Sequence, residues 1–283
     1  MSENTGYTHP EVLVDAGWLQ ANLADPMVRL IEVDVDTTAY QQGHIPGAVG
    51  FNWKKDLQDQ VIRAPLRKVQ LEALLSRTGV SNDTTIVLYG DHNNWFAAWA
   101  FWILKYYGHR DVRLLNGGRK KWLADKREIT TQVPTYSLTS YAAQAPRNSI
   151  RAFRDQVLLS LGCRDGALVD VRSPGEFSGK LLAPANWHQE GAQRGGHIPG
   201  AINIPWAMAV RKDGTFKSAE ELRALYAGHG ITPDKEVIAY CRIGERSSYT
   251  WFVLHSLLGY THVRHYDGSW AEWGSLIGAP IEK

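Results

Sequence analysis

The hexapeptide GHIPGA occurs twice in this chain, at residues 43–48 and again at residues 196–201. Each copy follows a similar stretch, LIEVDVDTTAY at residues 30–40 and ALVDVRSPGEF at residues 167–177. A repeat of this kind, in the same local setting, is the signature of a duplicated supersecondary unit. The repeat therefore predicts two similar domains in tandem.

Two further pairs of similar segments follow in the same order. TIVLYGD at residues 85–91 matches EVIAYCR at residues 236–242, and GHRDVRLLNGGRKKW at residues 108–122 matches GYTHVRHYDGSWAEW at residues 259–273. These last two pairs have the same offset along the chain. Chance rarely produces four collinear matches, so we interpret the chain as a duplicated domain.

The pattern of apolar residues indicates strands that alternate with helices. Residues 87–89 and 237–240 are short apolar runs, partly β-branched, as buried parallel strands usually are. Apolar residues at helical spacing follow each run, among them Trp99 in the first copy and Trp251 and Leu254 in the second. This alternation predicts an α/β fold, with two tandem domains that each have a mainly parallel central sheet flanked by helices.

A Thr-, Ser- and Pro-rich stretch suggests where the two domains join. Residues 130–148 lack sustained periodicity and are predicted to be a linker. The N-terminal domain would then span residues 8–129 and the C-terminal domain residues 149–283. Residues 180–195 form an insertion before the second hexapeptide, and we expect it to be a surface loop.

Composition and charge exclude several classes of protein. Hydrophobic residues make up 44% and charged residues 21% of the 283 residues, as in ordinary globular proteins. A formal net charge of +2 is too small to favour a nucleic-acid binder. The chain start lacks a secretory pattern and no stretch is long enough to cross a bilayer, so we expect a cytoplasmic protein without membrane partners. We also expect a monomer or a weak homodimer.

The two cysteines, Cys163 and Cys241, are too few for a disulfide framework and lack C-x-x-C spacing. The nearest histidine pair, His262 and His265, has no neighbouring residues that would complete a zinc site, so we expect no metal. Cys163 lies ahead of a predicted strand and outside any strand-to-helix loop. We interpret it as a buried small hydrophobic residue.

Cys241 begins the loop CRIGERS at residues 241–247, which joins a predicted strand to a predicted helix. Such a loop directs several backbone N–H groups to one place, where they favour an anion. These amides, together with Arg242 and Arg246, are expected to lower the pKa of the Cys241 thiol and to make it a reactive thiolate. An inert, buried cysteine is the alternative, but two nearby arginines make little sense around it.

The first copy of the repeat serves as an internal comparison for this loop. Gly90 stands opposite Cys241, and Trp95 stands opposite Arg246, so both the thiol and the arginine are missing. We therefore expect the N-terminal domain to be non-catalytic.

Together these motifs resemble the two-domain rhodaneses, or thiosulfate sulfurtransferases, over nearly the whole chain. The resemblance rests on the doubled GHIPGA, the DVRSPGEF stretch, the cysteine loop and the C-terminal YDGSWAEW. It implies a persulfide on Cys241 and no metal or organic cofactor. The loop is similar to the C-R-x-G-x-R type, which implies thiosulfate as donor and substrate contacts from the remaining loop residues, namely Arg242, Gly244, Glu245, Arg246 and Ser247.

The expected reaction is a double displacement between a small anionic sulfur donor and a thiophilic acceptor, cyanide or a thiol. The Cys241 thiolate would attack the outer sulfur of thiosulfate, and two guanidinium groups would bind the sulfonate end. A general base is not obligatory if the thiolate already exists. Some thiosulfate-using relatives have a further arginine where Glu176 stands here. The contact of that arginine with the donor therefore does not carry over to this chain.

Three other functions remain open from the sequence. A 3-mercaptopyruvate sulfurtransferase is the alternative most similar to the expected function, although such relatives have loops of the type C-G-S-G-V-T, which lack the two arginines. A cysteine-dependent phosphatase would need five residues between cysteine and arginine, whereas four separate Cys241 from Arg246. A non-enzymatic module could have kept the fold and lost the chemistry.

Overall fold

The computed structural model describes residues 6–163, 165–184, 187 and 191–283. Within these residues the chain forms two compact units. The first unit contains residues 11–147 and 211–216, and the second contains the chain up to residue 10 together with residues 148–210 and 217–283. Each unit has a parallel sheet of its own flanked by helices, so the predicted tandem α/β fold is confirmed.

The first unit is built on a five-stranded parallel sheet of order β1-β5-β4-β2-β3. Its strands are β1 (Leu13–Val14), β2 (Val28–Asp34), β3 (Val49–Asn52), β4 (Thr85–Tyr89) and β5 (Val112–Leu115). Its helices are α1 (Ala16–Asn22), α2 (Thr38–Gln42), α3 (Trp53–Leu57), α4 (Lys68–Arg77), α5 (Asp91–Tyr106) and α6 (Gly118–Ala124).

The second unit has a four-stranded parallel sheet of order β7-β6-β8-β9. Its strands are β6 (Gly166–Asp170), β7 (Ile202–Asn203), β8 (Glu236–Tyr240) and β9 (Val263–His265). Its helices are α7 (Arg154–Leu159), α8 (Pro174–Phe177), α9 (Ala219–Gly228), α10 (Glu245–Trp251), which continues as a π-helix over Phe252–Leu257, and α11 (Ser269–Trp273).

The register of β6 and β8 positions the loops that follow them. Asp170 pairs with Tyr240, and these are the last residues of the two strands. Because the strands are parallel and adjacent, the segments after them leave the same edge of the sheet. The chain after β6 and the Cys241 loop are thus brought side by side.

The repeated hexapeptide makes the same contact in both units. The backbone N–H of Ile45 donates to Tyr89 Oη in the first unit, and that of Ile198 donates to Tyr240 Oη in the second, each at 3.1 Å. Both tyrosines are the last residues of a buried strand, β4 or β8. The repeat therefore fixes the end of the strand that precedes Gly90 or Cys241.

An arginine also binds the first carbonyl of each hexapeptide. The donor is Arg119 of α6 in the first unit and Arg172, just after β6, in the second. Each guanidinium pairs with a buried carboxylate, Glu32 at 2.8 Å and Asp170 at 2.6 Å respectively. The same backbone group is thus satisfied by arginines from different positions, which the repeat pattern does not reveal.

The segment predicted as a linker lies along the first unit. Residues 131–147, all of them described, contain neither helix nor strand. The N–H of Thr139 donates to the carbonyl of Ser76 at 3.0 Å. The boundaries proposed from the sequence stay predictions, and the insertion at residues 180–195 lies partly outside the described residues. Among the helices that the structure describes, none combines the length and the apolar character needed to cross a membrane.

Candidate active site

Cys241 directly follows the central strand β8, and the start of α11 holds its backbone. The N–H of Cys241 donates to Ser269 Oγ at 3.1 Å, and the N–H of Trp270 donates to the carbonyl of Cys241 at 3.0 Å. The N–H of Ala271 likewise donates to the carbonyl of Arg242 at 2.8 Å. The C-terminal YDGSWAEW motif thus anchors the cysteine loop.

Ser269 has a backbone conformation that is unusual for a residue with a side chain. Its φ is +52°, and the equivalent residue of the first unit is Gly118, with φ +54°. The left-handed region is strained for any residue but glycine. Serine tolerates this strain in the second unit, where its hydroxyl bonds the Cys241 loop. The repeat alignment of Gly118 with Ser269 was the signal that could have identified this site residue.

The Cys241 thiol contacts the Gly244 amide and the Glu245 carboxylate. The N–H of Gly244 donates to Cys241 Sγ at 3.1 Å, and Sγ lies 3.5 Å from Glu245 Oε2. Gly244 has φ +103°, a conformation that glycine adopts without strain and that lets the loop turn back to the sulfur. The Gly244 amide is thus directed at the sulfur, and the wider prediction that several loop amides surround the thiol stays a prediction.

The expected lowering of the Cys241 pKa is wrong for this structure. Burial raises the pKa of the thiol, and the charge of Glu245 raises it further, while Arg246 and hydrogen bonds from Ser247 oppose them with less effect. The residue has 0% exposure. The raised pKa favours the protonated thiol over the thiolate, because desolvation disfavours the anion more than the loop stabilises it.

The guanidinium of Arg246 forms ion pairs with two carboxylates and is not directed at the sulfur. Its Nη1 and Nη2 donate to the two oxygens of Glu176, each at 2.9 Å, and its Nε lies 3.4 Å from Glu245 Oε1. Burial would raise the pKa of Glu176, but the hydrogen bonds and charge of Arg246 outweigh it and lower that pKa to about 2. The charge of Arg246, which was expected to bind the sulfur donor, is thus largely neutralised by the two carboxylates.

Arg242 differs from Arg246 in its hydrogen bonds. In the described part of the chain its Nε and Nη1 are buried and have no hydrogen-bond partner. Its guanidinium lies 5.8 Å from the centre of the Trp187 ring. Buried donors without partners cost free energy, and an anion could satisfy them.

Hydrogen bonds from Ser247 and His265 stabilise the turn of the cysteine loop at Gly244. Ser247 Oγ donates to the carbonyl of Gly244 at 3.0 Å and lies 2.9 Å from His265 Nε2, which is itself 3.0 Å from the same carbonyl. Burial lowers the pKa of His265 to about 3, so the ring is neutral. From the sequence alone, His265 was considered only as a metal ligand. Among the described residues, no group of three or more potential ligands could hold a metal ion.

The equivalent loop of the first unit has no room for a thiol. A Cβ at Gly90 would lie 2.3 Å from the carbonyl oxygen of Val33 and 2.9 Å from Asp34 Oδ1. Contacts this short do not occur without a backbone shift. The space beside β2 therefore excludes a cysteine at this position.

Cys163 is exposed, so its interpretation as a buried residue is wrong. It lies in the turn between α7 and β6, and its Sγ is 3.6 Å from the carbonyl of Leu159. It borders a cavity of about 500 Å³ that Ser160, Glu236 and Arg264 also line. Turns between a helix and a strand commonly lie at the surface, and the side chain of Cys163 is accordingly in solvent.

A cysteine at the carboxyl end of a central parallel strand, held by loop amides at the start of a helix, defines a class of α/β proteins that carry a small group on sulfur. The sequence model of the Rhodanese-like domain matches residues 15–125 and 154–276. The chain belongs to the rhodanese-like family, and the resemblance to its two-domain members is confirmed.

Similar proteins support sulfur transfer as the class of activity. The chain is 57% identical to the sulfur carrier protein TtuD of Thermus thermophilus over 281 residues, which is 98% of this chain and 99% of TtuD. It is 58% identical over 272 residues to a protein of Saccharopolyspora erythraea provisionally named a thiosulfate sulfurtransferase, with 96% of each chain covered.

A solved structure of EanB shows the same fold. It has a TM-score of 0.87 and 27% sequence identity, and the match covers 98% of this chain and 71% of EanB. That structure is described as a cysteine persulfide in a tetrahedral intermediate state with ergothioneine.

Proposed function

We propose that this protein moves the sulfane sulfur of thiosulfate to a thiophilic acceptor through a persulfide on Cys241. The observation that carries the proposal is the position of Cys241 Sγ, at the end of β8 and 3.1 Å from the Gly244 amide. A loop amide at this distance stabilises negative charge on sulfur, both on the attacking thiolate and on the persulfide.

Arg242 is the group that we assign to the sulfonate end of the donor. Its two unpartnered donors lie in the residue next to Cys241 and suit a compact dianion. The persulfide recorded on the cysteine of EanB and the carrier name of TtuD support the covalent intermediate. The loop around the persulfide is formed by the remaining predicted site residues, Gly244, Glu245, Arg246 and Ser247.

The reaction proceeds in two half-reactions. Cys241 sulfur attacks the outer sulfur of thiosulfate, the S–S bond of the donor breaks, and sulfite leaves with the electron pair. A thiol or cyanide then attacks the terminal sulfur and releases Cys241. The non-catalytic role of the N-terminal domain, the monomeric or weakly dimeric state and the cytoplasmic location stay predictions.

Intact-mass measurement after incubation with thiosulfate tests the proposal. We expect wild-type protein to gain the mass of one sulfur atom and Cys241→Ser to gain none, while Cys163→Ser behaves as wild type. Transfer from 3-mercaptopyruvate measured in parallel should be slower. Preference for 3-mercaptopyruvate would assign the alternative substrate, and a wild-type protein that gains no sulfur from either donor would overturn the function.

A further inference from the structure

Glu245 is placed to exchange a proton with Cys241. It is the first residue of α10 and is 1% exposed, and its Oε2 lies 3.5 Å from Cys241 Sγ, which is the donor in this contact. Its Oε1 lies 3.4 Å from Arg246 Nε. The arginine therefore holds one carboxylate oxygen and leaves the other facing the thiol.

The chemistry at Cys241 needs a proton acceptor. The thiolate is the nucleophile, yet burial raises the pKa of this thiol, so a proton must leave before or during attack. A cluster of buried charges around a reactive group is a common way to arrange such a transfer.

Other groups near the loop are unsuited to accept this proton. Arg246 is a cation whose pKa is raised despite its burial, chiefly by its hydrogen bond to Glu176. His265 Nε2 is directed at the Gly244 carbonyl and Ser247. Glu176 has both oxygens bonded to Arg246 and a lowered pKa.

We infer that Glu245 is a catalytic residue that takes the Cys241 proton when the donor is attacked and returns it when the sulfur departs. This inference rests on the proposed function. In the first half-reaction the S–H proton moves to Glu245 Oε2, the Cys241 sulfur bonds to the outer sulfur of thiosulfate, and the donor S–S bond breaks. Sulfite leaves as a dianion, and the persulfide carries one negative charge beside a neutral Glu245.

The second half-reaction restores the starting state. A thiolate or cyanide bonds to the terminal sulfur, the Cys241 S–S bond breaks, and the electron pair returns to Cys241. Glu245 then gives its proton back to the sulfur. Because protonated Glu245 carries no charge, it does not repel the negatively charged persulfide before the acceptor binds.

Single-turnover release of sulfite from thiosulfate tests this role. We expect Glu245→Gln to load sulfur about 100-fold more slowly than wild type at pH 7, the usual scale for loss of a general base. Its rate should rise steadily with pH as solvent removes the proton instead. Glu236→Gln is the matched control and should load normally, because Glu236 is exposed at the start of β8, the strand that precedes Cys241.

A purely electrostatic effect of Glu245 predicts the opposite sign. If the carboxylate only raised the pKa of the thiol, Glu245→Gln would lower that pKa and load sulfur faster than wild type. Equal or faster loading at pH 7 would therefore overturn the inference while leaving the proposed function intact.

A second variant covers the case in which Glu245→Gln does not fold. Glu245→Asp keeps a carboxylate, and we expect it to load sulfur measurably faster than Glu245→Gln or, if that variant is unfolded, to show a loading rate that levels off with pH once the carboxylate is ionised. A pH profile that rises without limit in a folded Glu245→Asp would contradict the inference. Failure of wild type to gain sulfur would instead contradict the proposed function.

Discussion

Arg246 and Glu176 form a buried pair with two parallel hydrogen bonds, each 2.9 Å long. Arg246 is 3% exposed and Glu176 is 0% exposed. Glu176 lies in α8 within the DVRSPGEF stretch, whereas Arg246 lies in the cysteine loop, so the pair joins two motifs that are 70 residues apart. The position of the loop over the sheet depends on this contact.

Removal of one partner should destabilise the protein strongly. Arg246→Ala leaves Glu176 as a buried charge that keeps its hydrogen bonds from Ser173 but loses its arginine, and we expect the free energy of unfolding to fall by about 3–5 kcal/mol. Replacement of both residues by methionine should recover part of this loss, because the charge of Glu176 is then no longer buried, although Glu245 still loses its contact with Arg246. Urea unfolding measures both variants, and a loss below about 1 kcal/mol for Arg246→Ala would show that the pair is not a stabilising contact.

Acid should weaken this contact. The pKa of Glu176 is about 2 in the folded protein against an ordinary 4.5, so the stability that it contributes is present above pH 4.5 and is lost as the pH falls towards 2. The urea midpoint of wild type should fall over this window. Glu176→Gln should fall less steeply, and equal slopes would exclude Glu176 as a cause of the acid sensitivity.

Arg242 should govern affinity for the anionic donor. Arg242→Ala removes two buried donors, and we expect KM for thiosulfate to rise about 10- to 100-fold, the scale of charged hydrogen bonds. Arg154→Ala, on the exposed surface of α7, is a control of equal charge change. Steady-state kinetics at saturating acceptor measures the effect, and an unchanged KM would remove Arg242 from the donor site.

Ser269 should matter more for sulfur loading than for stability. Ser269→Gly relieves the strain of positive φ but loses the hydroxyl that accepts from the Cys241 amide. We expect slower persulfide formation and a change in unfolding free energy within about 1 kcal/mol.

The reverse change in the first unit is the comparison for this variant. Gly118→Ser should destabilise the protein, because a Cβ there would lie 2.2 Å from Asn94 Oδ1. Thermal unfolding of both variants measures the effect on stability, and mass analysis measures the effect on persulfide formation. Wild-type loading by Ser269→Gly would contradict the role of the hydroxyl.

The fold was predictable because its signals are local or repeated. The apolar run at residues 237–240 has every residue buried in the structure, as expected for a strand covered on both faces. The place of Cys241 after this strand followed from the same pattern. The exposure of Cys163 was not predictable in this way, because it depends on whether any element covers the turn before β6.

The chemical state of the site depended on contacts that the sequence does not show. Two arginines near Cys241 suggested an acidic thiol, but a pKa is set by every charge and by the burial around the group. Glu176 comes from a distant motif and binds Arg246, and Glu245 faces the sulfur rather than the solvent. The contact of Glu176 with Arg246 requires the register of β6 against β8, and that of Glu245 with the sulfur requires the turn of the cysteine loop.

The sequence by itself determined that this protein is a duplicated α/β molecule with a single cysteine loop at the end of a strand in its second half. Repeats and apolar spacing encode these features because they are properties of neighbouring residues. Tertiary structure alone decided which arginine of the cysteine loop keeps buried donors without partners, which carboxylate contacts the thiol, and that burial raises the pKa of the thiol. Electrostatic effects act through space in a medium of low polarity, so they follow from packing and not from order along the chain.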